Sequence, residues 1–357
     1  MRQLGRLLGL LGLALWLASI SLRPRRARKP QPPPPAPLSS PPPPPPPPSP
    51  TSSSLLQHVV FAADEAHFHG VAAAILSIRA HSASPASLRF NLVTQPAHTE
   101  AAAAALKCYG AAATVIALPE AWLAGRIRVE ASANITGNLA SPCNFARFFL
   151  PKLLPGVRRV LYLDADVVVQ ADVASLFELS MPAGALAAAV PRSEPHFRYK
   201  RYAARAGETF AKRYRARQVR LDGTKPTFNA GVMLADLDAW RTASLSEDAV
   251  WWLEQHAASP DGLWHLGSQP PMHLILYGRW APLPPNWNLP NLGRIANLRT
   301  QELDVANLLH WTGKRKPWLP DALYPERWRR YVPQACVATA NRSAPWRRAP
   351  WPRVRLG

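Results

Sequence analysis

Two carboxylates stand two residues apart in the run Val160–Val169, VLYLDADVVV. Side chains of an extended strand alternate between faces, so Asp164 and Asp166 are expected on one side, aimed at one spot. Val160, Leu161 and Leu163 ahead of them read as a strand buried on both faces, as in the interior of a parallel α/β sheet. Ligands of such sheets sit beyond the carboxyl ends of the strands, and this strand is apolar first and acidic last. Two hard oxygen donors there suit a divalent cation, manganese or magnesium. An isolated Asp-X-Asp triplet is more often a turn former or a helix cap, so the metal reading depends on its company.

That company is spread along the chain. His310 closes the apolar run LLH and leads into WTGKRKPW, which carries Gly313 and Lys316. A histidine after a strand, a glycine and a lysine in this order can serve as metal ligand, phosphate-hugging backbone and phosphate-binding cation. In FNAGVMLADLDAW, residues 228–240, Asn229 and Gly231 open another apolar strand. Asn229 offers donor and acceptor to a hydroxyl-rich ligand, and Gly231 permits close backbone approach. Arg147 stands just upstream of the acidic strand, in SPCNFARFFL, where a helix is expected to open after Pro142.

A βα alternation can bring these residues together. HVVFA, residues 58–62, reads as a short buried strand ending in Ala63, Asp64 and Glu65, and residues 70–81 have helical spacing. Strand, acidic turn and helix open a nucleotide-binding unit in which the acid bonds a base or ribose; a helix cap is the alternative. Residues 87–94 predict a second strand, 100–109 an alanine-rich helix and 113–118 a third strand. The expected class is α/β, with a mostly parallel central sheet flanked by helices, over residues 55–325.

The remaining segments have other compositions. Residues 4–22 are apolar except for Arg6, short for a membrane span and suited to the thinner membranes of the early secretory pathway. Residues 1–29 are therefore expected to be a membrane anchor with a basic flank, a cleaved signal peptide being the alternative. Residues 30–54, dense in proline, predict an extended stalk. The charges after the apolar stretch favour the opposite orientation by the positive-inside rule, but the acceptor patterns at Asn134 and Asn341 favour a lumenal domain. The net charge of +20 is concentrated at the two ends, residues 326–357 forming a basic tail, which argues against nucleic acid as partner. Cys108, Cys143 and Cys336 lack metal-site spacing, and any bridge leaves one unpaired. Within the body, residues 198–220 carry nine cations against Glu208 alone. That run is either a solvated helix face or a loop overhanging the site and attracting an acidic acceptor such as a uronic-acid polysaccharide.

VVFAADE, NFARFFLPKLLP, VLYLDADVVV, FNAGVMLADLDAW and HWTGKRKPW, in this order, resemble glycosyltransferase family 8, and within it the eukaryotic Golgi members and the galacturonosyltransferase-like branch. The resemblance implies a GT-A nucleotide-sugar-binding fold and retaining transfer from a UDP-sugar to a glycan acceptor. It further implies a Golgi type II membrane protein with a lumenal catalytic domain, secretion after cleavage being the alternative. It assigns Asp164, Asp166 and His310 to manganese, with magnesium as substitute, and Gly313 and Lys316 to the donor phosphates. Arg147, Asn229 and Asp164 would hold the donor sugar, and Ala62, Ala63 and Asp64 or Glu65 would line the uridine site. Two departures matter. Ala66 and His67 replace the asparagine and tyrosine of bacterial relatives, and Ser268-Gln269 replaces an Asp-Gln pair. Without that carboxylate a covalent double displacement is not supported, and front-face substitution with Gln269 positioning the sugar is expected. A catalytically silent glycan-binding domain of the same fold is the rival reading; the complete set Asp164, Asp166, His310 and Lys316 argues against it.

Overall fold

The computed structural model describes residues 56–129, 137–192, 194, 197–265, 267–333 and 335–336. The expected anchor, the stalk, Asn134, Asn341 and the tail beyond Cys336 lie outside the described residues. Among the described residues no helix is long and apolar enough to cross a membrane.

Among the described residues seven strands, numbered along the chain, form one sheet in the order β3-β2-β1-β4-β7-β6-β8. They are β1 (Gln57–Ala62), β2 (Leu88–Thr94), β3 (Thr114–Ala117), β4 (Arg159–Leu163), β6 (Ala187–Pro191), β7 (Phe228–Asp236) and β8 (Trp280–Pro282). β1 pairs parallel with β2 and β4, and β2 with β3; β7 runs antiparallel between β4 and β6, and β6 pairs parallel with β8. The sheet is thus mostly parallel, as expected. Its two faces carry separate cores, set by the strand period of two. Val59 and Phe61 of β1 and Leu161 and Leu163 of β4 pack into one. Val60, Val160 and Tyr162 pack into the other. The helix Phe68–His81 covers the first face, and Gly70 comes so close that a Cβ there would strike the Ala165 carbonyl and the Trp318 ring.

The acidic run is not one strand. β4 stops at Leu163, and Val167–Val169 forms β5, which pairs antiparallel with β9 (Leu308–His310) in a second, two-stranded sheet. Asp164, Ala165 and Asp166 make the corner between the sheets. The corner is held at both ends: the Asp164 amide donates to the Gly231 carbonyl at 2.8 Å, and the Trp311 amide to the Asp166 carbonyl at 2.9 Å. The carboxylates converge because the chain changes sheets, not because of strand alternation.

The structure decides or revises three other readings. The helix after Pro142 is broken into Pro142–Phe145, a 3-10 turn Ala146–Phe149 and Leu150–Leu153, with the Ser141 hydroxyl capping the Cys143 amide at 3.1 Å. The basic run is largely the helix Lys200–Arg213, which buries Tyr202, Ala206 and Phe210 four residues apart and turns its charges outward. The core also continues past residue 325: Trp328 and Val332 are buried, and Cys336 bridges to Cys108 across 228 residues of sequence.

Candidate active site

The pairing of β5 with β9 sets Val167 opposite His310, which carries the imidazole to the acidic corner. His310 Nε2 lies 3.3 Å from Asp166 Oδ1 and 3.8 Å from Asp164 Oδ2. One donor atom from each of the three lies within 4.8 Å of the others. On the far side of the ring, His310 Nδ1 is 2.9 Å from the Oδ1 of buried Asn288. Asn288 therefore fixes the proton on Nδ1 and leaves the Nε2 lone pair facing two carboxylates. A lone pair and two anionic oxygens converging at such distances repel one another, and a cation among them removes the conflict. The donor set, two hard oxygens and one imidazole nitrogen, suits manganese and is compatible with magnesium.

The floor under this cluster is β7. Gly231 has no Cβ there because one would overlap Asp164 Oδ2 and stand 2.5 Å from His310 Cε1. Arg147 lies beneath Asp164, 3% exposed, with Nη2 2.9 Å from Asp164 Oδ1 and Nη1 donating to the Ala230 carbonyl at 2.9 Å. Its guanidinium also stands 4.6 Å over the Tyr162 ring. Arg147 thus orients Asp164. Asn229 is buried and absent from the cavity wall, its Oδ1 accepting the Gly231 amide at 2.8 Å. It shapes the turn of backbone that makes the floor.

Lys316 Nζ pairs with Asp166 Oδ2 and donates to the Trp311 carbonyl at 3.0 Å. Burial raises the Asp166 pKa, but the surrounding charges and hydrogen bonds, Lys316 first among them, together outweigh it and hold the carboxyl well below the usual range. Asp166 is accordingly an anion at neutral pH. Gly313 has φ +121°, and a Cβ there would stand 2.5 Å from Arg294 Cγ and 2.8 Å from the Gly293 carbonyl, so glycine is required.

These groups open into a cavity of about 1170 Å³. At one end Ala62, Ala63, Asp64, His67 and Trp318 line it. Asp64 accepts from Gln95 Nε2 at 3.0 Å, whereas Glu65 is exposed and off the wall, so of the two acids Asp64 is the one that reaches the cavity. The His67 and Trp318 rings meet edge to face at 5.7 Å. Burial, then Lys316, pulls His67 below the ordinary imidazole range, so it is neutral here. Cys143, the free cysteine, also lines this end; burial pushes its thiol pKa up and makes it unreactive.

At the other end stands Gln269, which opens the helix Gln269–Ile275. Arg192 Nη2 donates to its Oε1 at 3.0 Å. A guanidinium has donors only, so the Gln269 oxygen is committed to it and the NH2 group is left for the cavity. Beside it the Ser268 hydroxyl donates to Asn144 Oδ1 at 2.8 Å. Of the basic run, Arg201 reaches the wall, while Arg213 pairs with Asp248 at 2.8 Å and Arg217 donates to the Tyr277 carbonyl at 2.7 Å. The run does not overhang the site as a loop, because its apolar positions bind it down as a helix. Arg192 and Asn288 were not legible as site residues: each acts through a partner distant in sequence, 77 and 22 residues away.

The family model for glycosyl transferase family 8 matches residues 58–322. The chain is 32% identical over 275 residues to the probable galacturonosyltransferase-like 7 of Arabidopsis thaliana, covering 74% of this chain and 70% of that protein. It is 32% identical over 220 residues to glycosyltransferase 8 domain-containing protein 1 of Xenopus tropicalis, covering 58% of each chain. The fold matches that of the galactosyltransferase LgtC, solved with donor and acceptor sugar analogs, with TM-score 0.54 and 21% identity over 79% of this chain and 96% of that one. The fold is therefore GT-A, and the chain belongs to glycosyl transferase family 8, the retaining, nucleotide-sugar-dependent glycosyltransferases.

Proposed function

We propose that this enzyme transfers a hexosyl or related sugar from a UDP-sugar to a glycan acceptor, with Asp164, Asp166 and His310 holding manganese. The convergence of these three side chains at 3.3 and 3.8 Å, beside Lys316, carries the reading. A bound divalent cation would supply a charge that stabilises the leaving diphosphate. Lys316 adds a second positive charge, and Gly313 lets backbone approach the phosphate oxygens. Asp64 is placed to accept from the uracil or the ribose, beside the His67 and Trp318 rings.

Gln269 is committed through its oxygen to Arg192 and bears no carboxylate neighbour at Ser268, so it positions the sugar by its NH2 group. The reaction that fits is front-face substitution. The acceptor oxygen bonds to the anomeric carbon as the bond from that carbon to the β-phosphate oxygen breaks, and the acceptor proton passes to the departing phosphate.

The Cys108–Cys336 bridge supports a lumenal, oxidising compartment, as do the apolar N-terminal stretch and the two sequons. A Golgi type II enzyme accommodates all three. Incubating the purified chain with manganese and a panel of UDP-sugars, and following the anomeric proton of the released or transferred sugar by NMR, tests the reading. Turnover of one or a few donors with retention is expected; turnover of none, or inversion, would contradict it.

A further inference from the structure

A second, smaller cavity of about 100 Å³ shares part of its wall with the main one. Arg201 and Tyr202 line both, and Arg205, Trp264 and Pro270 complete the outer one. Pro270 directly follows Gln269, so the outer cavity adjoins the main one beside Gln269 and along Arg201 and Tyr202. Arg201 and Arg205 are one helical turn apart on the same face of Lys200–Arg213, roughly 5–6 Å between Cβ atoms. Inside the main cavity Arg192 stacks on the Phe197 ring at 3.9 Å, with Arg201 on the same ring at 5.6 Å.

Three guanidinium groups therefore run from Gln269 outward, and no carboxylate of the described residues forms an ion pair with any of them. Arg205 spends one donor on the Asp261 carbonyl. Burial, and the nearby Arg201 and Arg294, lower the Arg192 pKa to about 10, with Glu194 the largest opposing influence. On the proposed reading the donor diphosphate would lie with Lys316 and the Asp164–Asp166–His310 cluster, and so would not account for cations beyond Gln269.

We infer that Arg192, Arg201 and Arg205 form an acceptor subsite for an anionic glycan, threaded from the main cavity across the Arg201–Tyr202 wall into the outer one. This rests on the glycosyltransferase reading and specifies its acceptor. Guanidinium forks match carboxylate and phosphate oxygens equally, so the ligand is a saccharide bearing either group. The charges that matter are those at the cavity wall, not the outward-facing remainder of the basic run.

The test is binding of three probes to the full chain with manganese and UDP present: a galacturonic acid trimer, its methyl-esterified counterpart and a phosphorylated neutral trimer. An anionic trimer is expected to bind at least about tenfold more tightly than the ester, since a charge-assisted hydrogen bond contributes about that factor. Preference for the carboxylated or the phosphorylated trimer identifies the anion. R201S and R205S are each expected to cost about tenfold for the anionic probe and nothing for the ester. K212S removes the same charge from the same helix at an exposed site paired with Glu208, and should leave binding intact. Equal binding of anionic and esterified trimers, or a K212S loss as large as that of R201S, would overturn the subsite. Failure of the unmutated enzyme to turn over any UDP-sugar would instead strike the parent reading, whatever the trimers do.

Discussion

Gly231 and Asp164 compete for one space: a Cβ on Gly231 would lie 2.9 Å from Asp164 Cγ and overlap its Oδ2. The backbone of β7 is extended there, so alanine fits the strand and the conflict is confined to the site. G231A is expected to push Asp164 and His310 apart and weaken manganese binding by at least tenfold while the far-UV circular dichroism is retained. Titration calorimetry with manganese checks this; unchanged affinity would show that the three side chains do not share a cation.

Asn288 should matter nearly as much as a ligand, although it touches no substrate. Its Oδ1 sets the His310 tautomer, and such partners typically change metal affinity by about 10–100-fold. N288L is expected to lose that factor, and N288D, which keeps an acceptor oxygen in place, to recover most of it. Equal affinities in N288L and the unmutated chain would mean that the imidazole is oriented by packing alone.

The Cys108–Cys336 bridge closes a loop across 228 residues of sequence, with β1, β2 and the helix Phe68–His81 outside it. C336S is expected to lower stability by about 2–4 kcal/mol, chiefly by freeing the unfolded chain. Denaturant unfolding of the oxidised and reduced protein measures it, and coincident curves would dismiss the contribution.

Acid should destabilise the fold earlier than its carboxylates require. His273 is buried, accepting from the Tyr202 hydroxyl at Nδ1 and donating from Nε2 to the Phe228 carbonyl, and burial takes its pKa from 6.5 to about 3. Below pH 6.5 the unfolded chain gains a proton that the folded one refuses, so stability is full above that value and declines until about pH 3. The slope is about 1.4 kcal/mol per pH unit where this one group dominates. Urea midpoints at pH 7 and 5 should differ accordingly, and H273N should flatten the difference. A midpoint independent of pH over this window would refute the burial argument.

β1, β2, β3 and β7 were legible because their apolar runs are long enough to fix type and face. β6, AAAVP, and β8, WAP, were not, since alanine-rich or three-residue strands carry no period of their own. The break between β4 and β5 was hidden for another reason: the residues flanking Asp164–Asp166 are apolar on both sides, without glycine or proline to mark a corner. The candidate metal ligands Asp164, Asp166 and His310, and Lys316 beside them, were readable from residue type, because each carries chemistry that packing does not demand. Their supports, Asn288 and Arg192, became visible only when the chain brought them to His310 and Gln269.

The most direct test of the metal-centred account is UDP release from a donor UDP-sugar by the purified chain, with manganese, with excess chelator, and for D166N under both conditions. The account predicts release that requires manganese and falls at least about a hundredfold in D166N, with the mutant still folded and the Cys108–Cys336 bridge intact. Equal release in manganese and chelator, or a D166N enzyme as active as the unmutated one, would contradict it.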